Sequence, residues 1–320
     1  MRRKKRFFLP SALNLKKCFS KKWWKRLWRS KKFRRKVLYV GIGLAIVFVG
    51  IVAWFSKDLP TPSKIKQWRP ALSTKILDRN GKLLYEVHGT QRRTWIKFDE
   101  IPEYMKQATL AAEEKELYHH FGINFKGLFR ALLRDILHRR YKEGGSSITQ
   151  QFVKNALLTP HRTLSRKIKE AILAIELEIL YSKDQILEMY LNTIPYGSNA
   201  YGVEAAAQTF FGKSAKDLNL AECALLAALP KAPTYYSPYG SHVDELMARK
   251  NYILDEMVKM GAISPEEAEK AKKQKLHFKP YRERIFAPHF VMWVKELLAE
   301  KYGEKVVETG GLKVYTTLDW

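Results

Sequence analysis

Cysteine is nearly missing from this chain. Its 320 residues hold two, Cys18 and Cys223, too few for a disulfide framework. They also flank a long apolar run, so they are not expected to pair with each other. Acidic residues are missing from the first 36 positions, which carry 17 Lys and Arg and no Asp or Glu. The formal net charge of +26 therefore belongs mostly to a tail, and only +9 is left for the other 284 residues. There is no internal repeat and no low-complexity segment outside that tail, which excludes a repeat architecture. What remains is a chain with ordinary hydrophobic content, long enough for one substantial domain with extras or for two small ones.

Residues 37–55, VLYVGIGLAIVFVGIVAWF, are 19 uncharged and almost wholly apolar positions. At about 1.5 Å per residue such a helix matches a bilayer core. A cleaved signal peptide would have a shorter apolar region and a small-residue cleavage site. Trp54-Phe55-Ser56-Lys57 follows instead, which favours an uncleaved anchor. The basic residues before the run place the N-terminus in the cytoplasm by the positive-inside rule. Trp23, Trp24, Trp28 and Phe33 interleave with Lys and Arg in the tail. Beside a span, that composition fits anionic lipid headgroups more simply than nucleic acid, and no nucleic-acid partner is expected.

After a Pro-punctuated linker, two β-rich runs flank Asn80-Gly81 and predict a hairpin over 74–87. Pro102 opens a helix expected to run to about Gly122. Asn124 caps a second helix over 125–137, and Gly144-Gly145 lie in the loop that follows. Helices are predicted over 148–158, 164–180, 183–192, 203–211, 220–229, 244–260 and 288–302, with another short one opening at Ser264-Pro265. The buried stripe of the 164–180 helix is expected to be Leu164, Ile168, Ala171, Ile172, Ile175 and Ile179. Ser182 and Asn219 have capping partners three residues on. The end, 304–307 followed by 312–318, reads as a β-hairpin whose last strand lacks partners.

One stretch stands out, Ala108 to Gly122, ATLAAEEKELYHHFG. Glu113 and Glu114 directly follow a small apolar helical face. A carboxylate at the edge of an apolar wall has its pKa raised and can act as a base. The plain alternative is a solvated Glu-Glu-Lys-Glu turn. His119-His120 is weak as a metal pair, because adjacent side chains diverge on a helix and no third ligand motif accompanies them. Downstream, Gly144-Gly145-Ser146-Ser147 opens a helix with Thr149, Gln150, Gln151, Lys154 and Asn155. That is either a surface-polar helix start or a helix N-terminus suited to polyanions. Arg166, Lys167 and Glu170 sit together on the next helix, where an exposed i,i+4 pair would contribute only a few tenths of a kcal/mol.

Taken together these motifs resemble the peptidoglycan glycosyltransferase domain of class A penicillin-binding proteins and monofunctional transglycosylases. The resemblance runs over 108–257 in five ordered motifs: Glu113-Glu114 to His120 and Gly122; Gly144 to Gln151 with Lys154-Asn155; Arg166-Lys167 to Glu170; Lys183 to Asn192 with Tyr196-Gly197; and Ala205 through Glu222 to Pro233. The chain departs from the usual pattern at Glu114 (usually Asp), Leu117 (usually aromatic) and Ser147 (usually Thr). The resemblance implies a mostly α, lysozyme-like fold with a membrane-associated jaw lobe, preceded by one transmembrane helix and edged by short β-hairpins. It implies polymerisation of lipid II into β-1,4-linked glycan strands by inverting transfer, with release of undecaprenyl pyrophosphate. Glu113 would be the base and Glu170 would assist on the donor side. Lys154, Arg166 and Lys167 would meet the pyrophosphate, where a divalent cation, Mg2+ or Mn2+, is left open. Ser147, Thr149, Gln150, Gln151 and Asn155 would position substrate, and Glu114 and His120 would support Glu113.

The expected organisation is a basic cytoplasmic tail (1–36), an anchor (37–55), a linker with a hairpin (56–95), the glycosyltransferase domain (96–278) and a linker (279–320). In bifunctional relatives that last linker leads to a transpeptidase. Such a domain needs a Ser-x-x-Lys nucleophile, and the match at Ser63 to Lys66 sits in the Pro-flanked linker, so no transpeptidase is expected within these residues. The expected location is the bacterial cytoplasmic membrane with the catalytic domain outside. Expected partners are lipid II, the growing strand, membrane lipids and cell-wall synthesis proteins. Two other readings stay open, a membrane-anchored lysozyme-like glycan hydrolase and a non-catalytic cell-wall scaffold.

Overall fold

The computed structural model describes residues 31–57, 59–60, 65, 70–89, 91–124, 145–158, 163–280 and 285–320. The expected helix over 125–137, Gly144 and most of the Ser63–Lys66 match lie outside the described residues. The chain divides into two units, Met1–Asp58 and Leu59–Trp320.

In the first unit, helix α1 (Lys31–Ser56) runs through the apolar segment without a break. Val37, Leu38, Tyr39 and Val40 are consecutive and all exposed, so the apolar surface goes round the helix rather than forming a stripe. Among the described residues no helix is long and apolar enough to cross a membrane. The side chains at 44, 45, 48, 51 and 52 of α1 lie outside that description.

The second unit is mostly helical and is built around one short helix. Helix α7 (Leu220–Ala228), sequence LAECALLAA, is buried all round from Ala221 to Ala228. Its alanines let α2 (Glu103–Glu113) and α8 (Val243–Lys259) approach closely, and these three helices pack on one another. Asn219 and Glu222 close a capping box at its start, as the sequence predicts. On the other side, α3 (Ile148–Ala156) packs against α4 (Leu164–Leu180) and α5 (Lys183–Leu191). Strands β3 (Arg92–Arg93), β4 (Pro195–Gly197) and β5 (Ala200–Tyr201) form a small sheet in the order β3-β5-β4. It leads into α6 (Val203–Phe210), while α9 (Pro265–Lys273) packs on α8.

Three expectations are corrected. Helix α2 stops at Glu113, and Glu114 is extended at φ −160°, because its side chain is drawn inward to ligands described below. A short 3-10 turn, Leu117–His119, follows instead of continued helix. On α4 the core face carries Glu170, Leu173, Ala174 and Leu177, all buried, whereas Ile175 is 39% and Ile179 70% exposed. Helix α4 has two apolar faces, and packing selects the one with the smaller Ala174, against which Gly122 lies. The C-terminal end is not a hairpin. Residues Glu304–Thr309 form helix α11, and β6 (Lys313–Tyr315) pairs in parallel with β1 (Thr74–Leu77).

That pairing joins two segments expected to be separate linkers. Strand β1 sits centrally between β2 (Leu83–Val87) and β6. The predicted hairpin turn is present, with Asp78 Oδ1 accepting from the amides of Asn80 and Lys82 at 2.9 and 2.7 Å. Ile76, Leu84 and Val87 then pack with Val291 and Val294 of α10 (Pro288–Tyr302) and with Val307 of α11 as a second small core.

Gly122 fixes the approach of the first motif to α4. Its φ is +72°, and a Cβ there would lie 3.0 Å from the carbonyl oxygen of Ala174. Gly122→Ala should therefore lower unfolding stability by about 2 kcal/mol, measured by chemical denaturation; an unchanged midpoint would show that the backbone relaxes freely.

Candidate active site

The site begins where α2 ends. Glu113 is the last helical residue and Glu114 the first beyond it, so the two carboxylates separate. Glu114 turns inward and is 6% exposed. Its Oε1 accepts from His120 Nε2 at 2.7 Å and from Asn124 Nδ2 at 3.4 Å, and its Oε2 accepts from the backbone amide of Ile148 at 2.7 Å. Ile148 is the first residue of α3, so an anion sits on that helix's N-terminus, where backbone amides and the helix dipole favour it. The ligand at this helix start comes from the protein itself.

Ser147, Thr149 and Gln150 are buried within the frame that holds α3. Ser147 Oγ accepts from the Gln150 amide at 3.1 Å, and Gln150 Oε1 accepts from the Ser147 amide at 3.0 Å, closing a capping box. Ser147 Oγ also donates to the Gly122 carbonyl at 2.6 Å. Thr149 Oγ1 donates to Glu178 Oε1 at 2.7 Å. Glu178 in turn meets Lys183 at 2.7 Å, and Lys183 donates to the carbonyl of His120 at 2.6 Å. These side chains tie the first, second and fourth motifs into one frame. Asn155 lies at the exposed end of α3.

The fourth motif is also structural in this arrangement. Glu188 accepts from Trp95 Nε1 at 3.0 Å and from the Phe98 amide at 3.1 Å. Asn192 bonds both the amide and the carbonyl of Ile96. Tyr118, the exposed aromatic of the first motif, donates to Asp184 at 2.7 Å. Leu117 is fully buried in the core.

Glu113 faces a different environment. Burial pushes its pKa up, while a hydrogen bond from Gln151 and the charges of Arg249, Lys231 and Lys154 pull it partly back. Gln151 Nε2 donates to Glu113 Oε2 at 2.8 Å, and Arg249 Nη2 lies 3.8 Å from Glu113 Oε1. One turn along α3 from Gln151, Lys154 is half-buried. Burial pushes its pKa down; Glu170 and, more weakly, Glu113 raise it, and Arg166 and Lys167 lower it. Among the described residues Lys154 makes no hydrogen bond or ion pair. Glu170 is 2% exposed and is ion-paired at 2.5 Å to Lys167, three residues before it on α4. Lys167 also donates to Ser146 Oγ at 2.7 Å.

The structure thus brings Glu113, Gln151, Lys154, Arg166, Lys167 and Glu170 into one electrostatic neighbourhood. A desolvated carboxylate that can take a proton stands at one end, and cations able to meet a polyanion stand at the other. Among the described residues no group of three or more His, Cys, Asp or Glu could hold a metal ion. His119 is exposed and His120 is bound to Glu114.

Arg249 was not among the residues that the motifs singled out, although it contacts the central carboxylate. It lies on α8, far along the chain from Glu113. The available signal was the Arg249-Lys250 pair on an amphipathic helix: both turn inward, Lys250 to donate to the carbonyls of Ala271 and Lys272 at the end of α9.

Comparison with known proteins shows the family to which the chain belongs. The sequence model of the Transglycosylase family matches residues 80–258, more than half of the chain, and the chain belongs to that family. It is 43% identical over 289 residues to penicillin-binding protein 1A of Aquifex aeolicus, covering 89% of this chain and 39% of that protein. It is 38% identical over 292 residues to penicillin-binding protein 1A of Rickettsia conorii, covering 88% and 37%. The chain therefore spans about two-fifths of the length of these relatives. A crystal structure of penicillin-binding protein 1A from Haemophilus influenzae aligns over 79% of this chain and 28% of its own, at 26% identity and a TM-score of 0.44.

The two adjacent carboxylates should respond oppositely to neutralisation. Glu114→Ala strands the Ile148 amide and a partly buried His120, and should cost about 3 kcal/mol or more in denaturant unfolding. Glu113 has its folded pKa raised, so its stabilising contribution is complete below the unfolded value near 4.5 and is lost as pH rises through the folded value. Glu113→Gln should therefore be at least as stable as the parent at pH 7–8, with the gap closing below pH 4.5. A Glu113→Gln protein less stable at pH 8 than at pH 4, relative to the parent, would contradict this assignment of its environment.

Proposed function

We propose that this chain is a peptidoglycan glycosyltransferase that polymerises lipid II into β-1,4-linked glycan strands with release of undecaprenyl pyrophosphate. The observation that carries this reading is a desolvated Glu113 beside a half-buried Lys154 that has no ion-pair partner among the described residues and that feels the charges of Glu170, Arg166 and Lys167. A hydrolase needs two carboxylates and water. It has no use for a cationic cluster beside one of them, whereas a pyrophosphate leaving group does.

In the proposed reaction Glu113 accepts the proton of the acceptor 4-hydroxyl as that oxygen forms a bond to the anomeric carbon of the donor. The bond from that carbon to the pyrophosphate oxygen breaks, and the electron pair leaves with the pyrophosphate. Lys154, Arg166 and Lys167 stabilise the departing charge. Glu170 acts by holding Lys167 and raising the proton affinity of Lys154. Gln151 orients Glu113, while Glu114, His120, Ser147, Thr149 and Gln150 hold the frame; Asn155, at the exposed end, is left for substrate. A divalent cation at the pyrophosphate would find Glu170 already bound by Lys167, so no step is assigned to it.

The same reading places a lysozyme-like body against the membrane through a jaw lobe. The exposed Ile175 and Ile179 of α4 supply apolar surface for that contact. The anchor is α1, supported by its 19-residue uncharged run and its exposed apolar circumference. The orientation puts the catalytic domain outside the cytoplasm, beside lipid II, the growing strand and other cell-wall synthesis proteins.

The test is detergent-solubilised full chain with labelled lipid II and a divalent ion. Long glycan products support the proposal; cleavage of preformed glycan would support a hydrolase. No turnover, with the parent indistinguishable from Glu113→Gln, would leave a scaffold. Glu113→Gln should lower the rate by about 10²–10⁴-fold, and Lys154→Met should also abolish most activity. The rate should follow a bell-shaped pH profile. Its acid limb should lie above the ordinary 4.5 of a glutamate, as Glu113 ionises, and its alkaline limb below the ordinary 10.5 of a lysine, as Lys154 loses its proton.

A further inference from the structure

Glu113 sits at a helix end with a rotatable side chain, yet a base works only when its lone pair is aimed at the proton it takes. Among the described residues each of its oxygens has one partner. The partner of Oε2 is Gln151, a primary amide whose two ends have nearly the same shape. If its carbonyl faced the carboxylate, the contact would be repulsive and the orientation lost. The carboxylate only accepts, so it takes the Nε2 end at 2.8 Å; the hydroxyl of Tyr190 on α5 donates to the other end, Gln151 Oε1, at 3.3 Å and holds the amide in that place. Tyr190 is fully buried, so water does not compete for that hydroxyl.

The partner of Oε1 is Arg249. Its guanidinium is itself located from two directions: Nε donates to the carbonyl of Ala228 at the end of α7 at 3.1 Å, and Cζ lies 5.9 Å from the ring centre of Tyr236. At 3.8 Å from Glu113 it acts as a nearby charge rather than as a hydrogen-bond donor.

We propose that Tyr190 and Arg249 are positioning residues for the Glu113 carboxylate, one for each oxygen, with Tyr190 acting through Gln151. The proposal rests on the reading of Glu113 as the base. Titratable and charged groups near Glu113 come from each element around it: Arg249 from α8, Lys231 from the turn after α7, Lys154 from α3, Tyr190 from α5, Tyr196 from β4, and the adjoining Glu114 with its His120. Arg249 is the only one of the three cations placed within ion-pair distance of a Glu113 oxygen among the described residues. Both positioning contacts favour the ionised carboxylate, so losing either one moves the acid limb of the rate profile to higher pH.

The test uses the full chain in detergent, with initial rates on labelled lipid II from pH 5 to 9. Tyr190→Phe should lower kcat about 5–10-fold, the weight of one hydrogen bond, leave KM for lipid II unchanged and move the acid limb upward. Arg249→Met should move the limb further, and Arg249→Lys should restore part of that shift. Tyr190→Phe added to Gln151→Ala should cost nothing more, because the two act along one path. Equal loss of rate at all pH values, with the acid limb in place, would mean a structural role and would overturn the proposal, as would a parent-like profile for both single variants. If Tyr190→Phe fails to fold, the Arg249→Met and Arg249→Lys limbs decide. Failure of the underlying reading looks different: Glu113→Gln would then polymerise at the parent rate.

Discussion

A buried carboxylate must be fully hydrogen-bonded, and Glu114 meets that requirement with groups drawn from three places in the chain. His120, Asn124 and the amide of Ile148 all point at it. Satisfying that charge ends α2 at Glu113, sets α3 on the end of the first motif and leaves Glu113 facing the other way. The divergence of two sequence neighbours follows from this single constraint. One becomes the anchor of the fold, while the other is left partly desolvated with fewer compensating contacts.

The same logic runs outward. Helix α3 is held at its start by the Ser147–Gln150 capping box and laterally by Thr149 on Glu178, so the polar residues facing the protein fix its rotation. That rotation sends Gln151 towards Glu113 and places Lys154 among charges from α4. Glu178 in turn receives Lys183, which reaches back to the carbonyl of His120. Residues that form one polar set in the sequence divide in space into a frame and a smaller face turned towards Glu113 and Glu170. The hydroxyls and one amide belong to the frame; Gln151, Lys154 and the cations of α4 belong to the face.

The small second core has a comparable origin. Strand β1 needs a hydrogen-bonding partner on each side, and β2 supplies only one. Strand β6, from the far end of the chain, supplies the other, and α10 and α11 cover Ile76, Leu84 and Val87 with Val291, Val294 and Val307. Two segments that resemble connectors when read separately are one sheet-and-helix unit when paired.

Most local elements were legible in the sequence, because their causes are local. Helix periodicity, the capping boxes at Ser182 and Asn219, and the Asn80-Gly81 turn depend on neighbours within about four positions. The candidate site was legible as a set of motifs, since Glu113, Lys154 and Glu170 stand in a distinctive order. What only the tertiary structure decided were choices between chemically similar options at long range. They include which of two adjacent glutamates turns inward, which apolar face of α4 meets the core, whether 304–309 coils or extends, and which distant cation reaches Glu113. Each depends on hydrogen-bond satisfaction and packing between segments far apart in the chain. Arg249 and Glu113 become neighbours only because the small residues of α7 let α2 and α8 close around it.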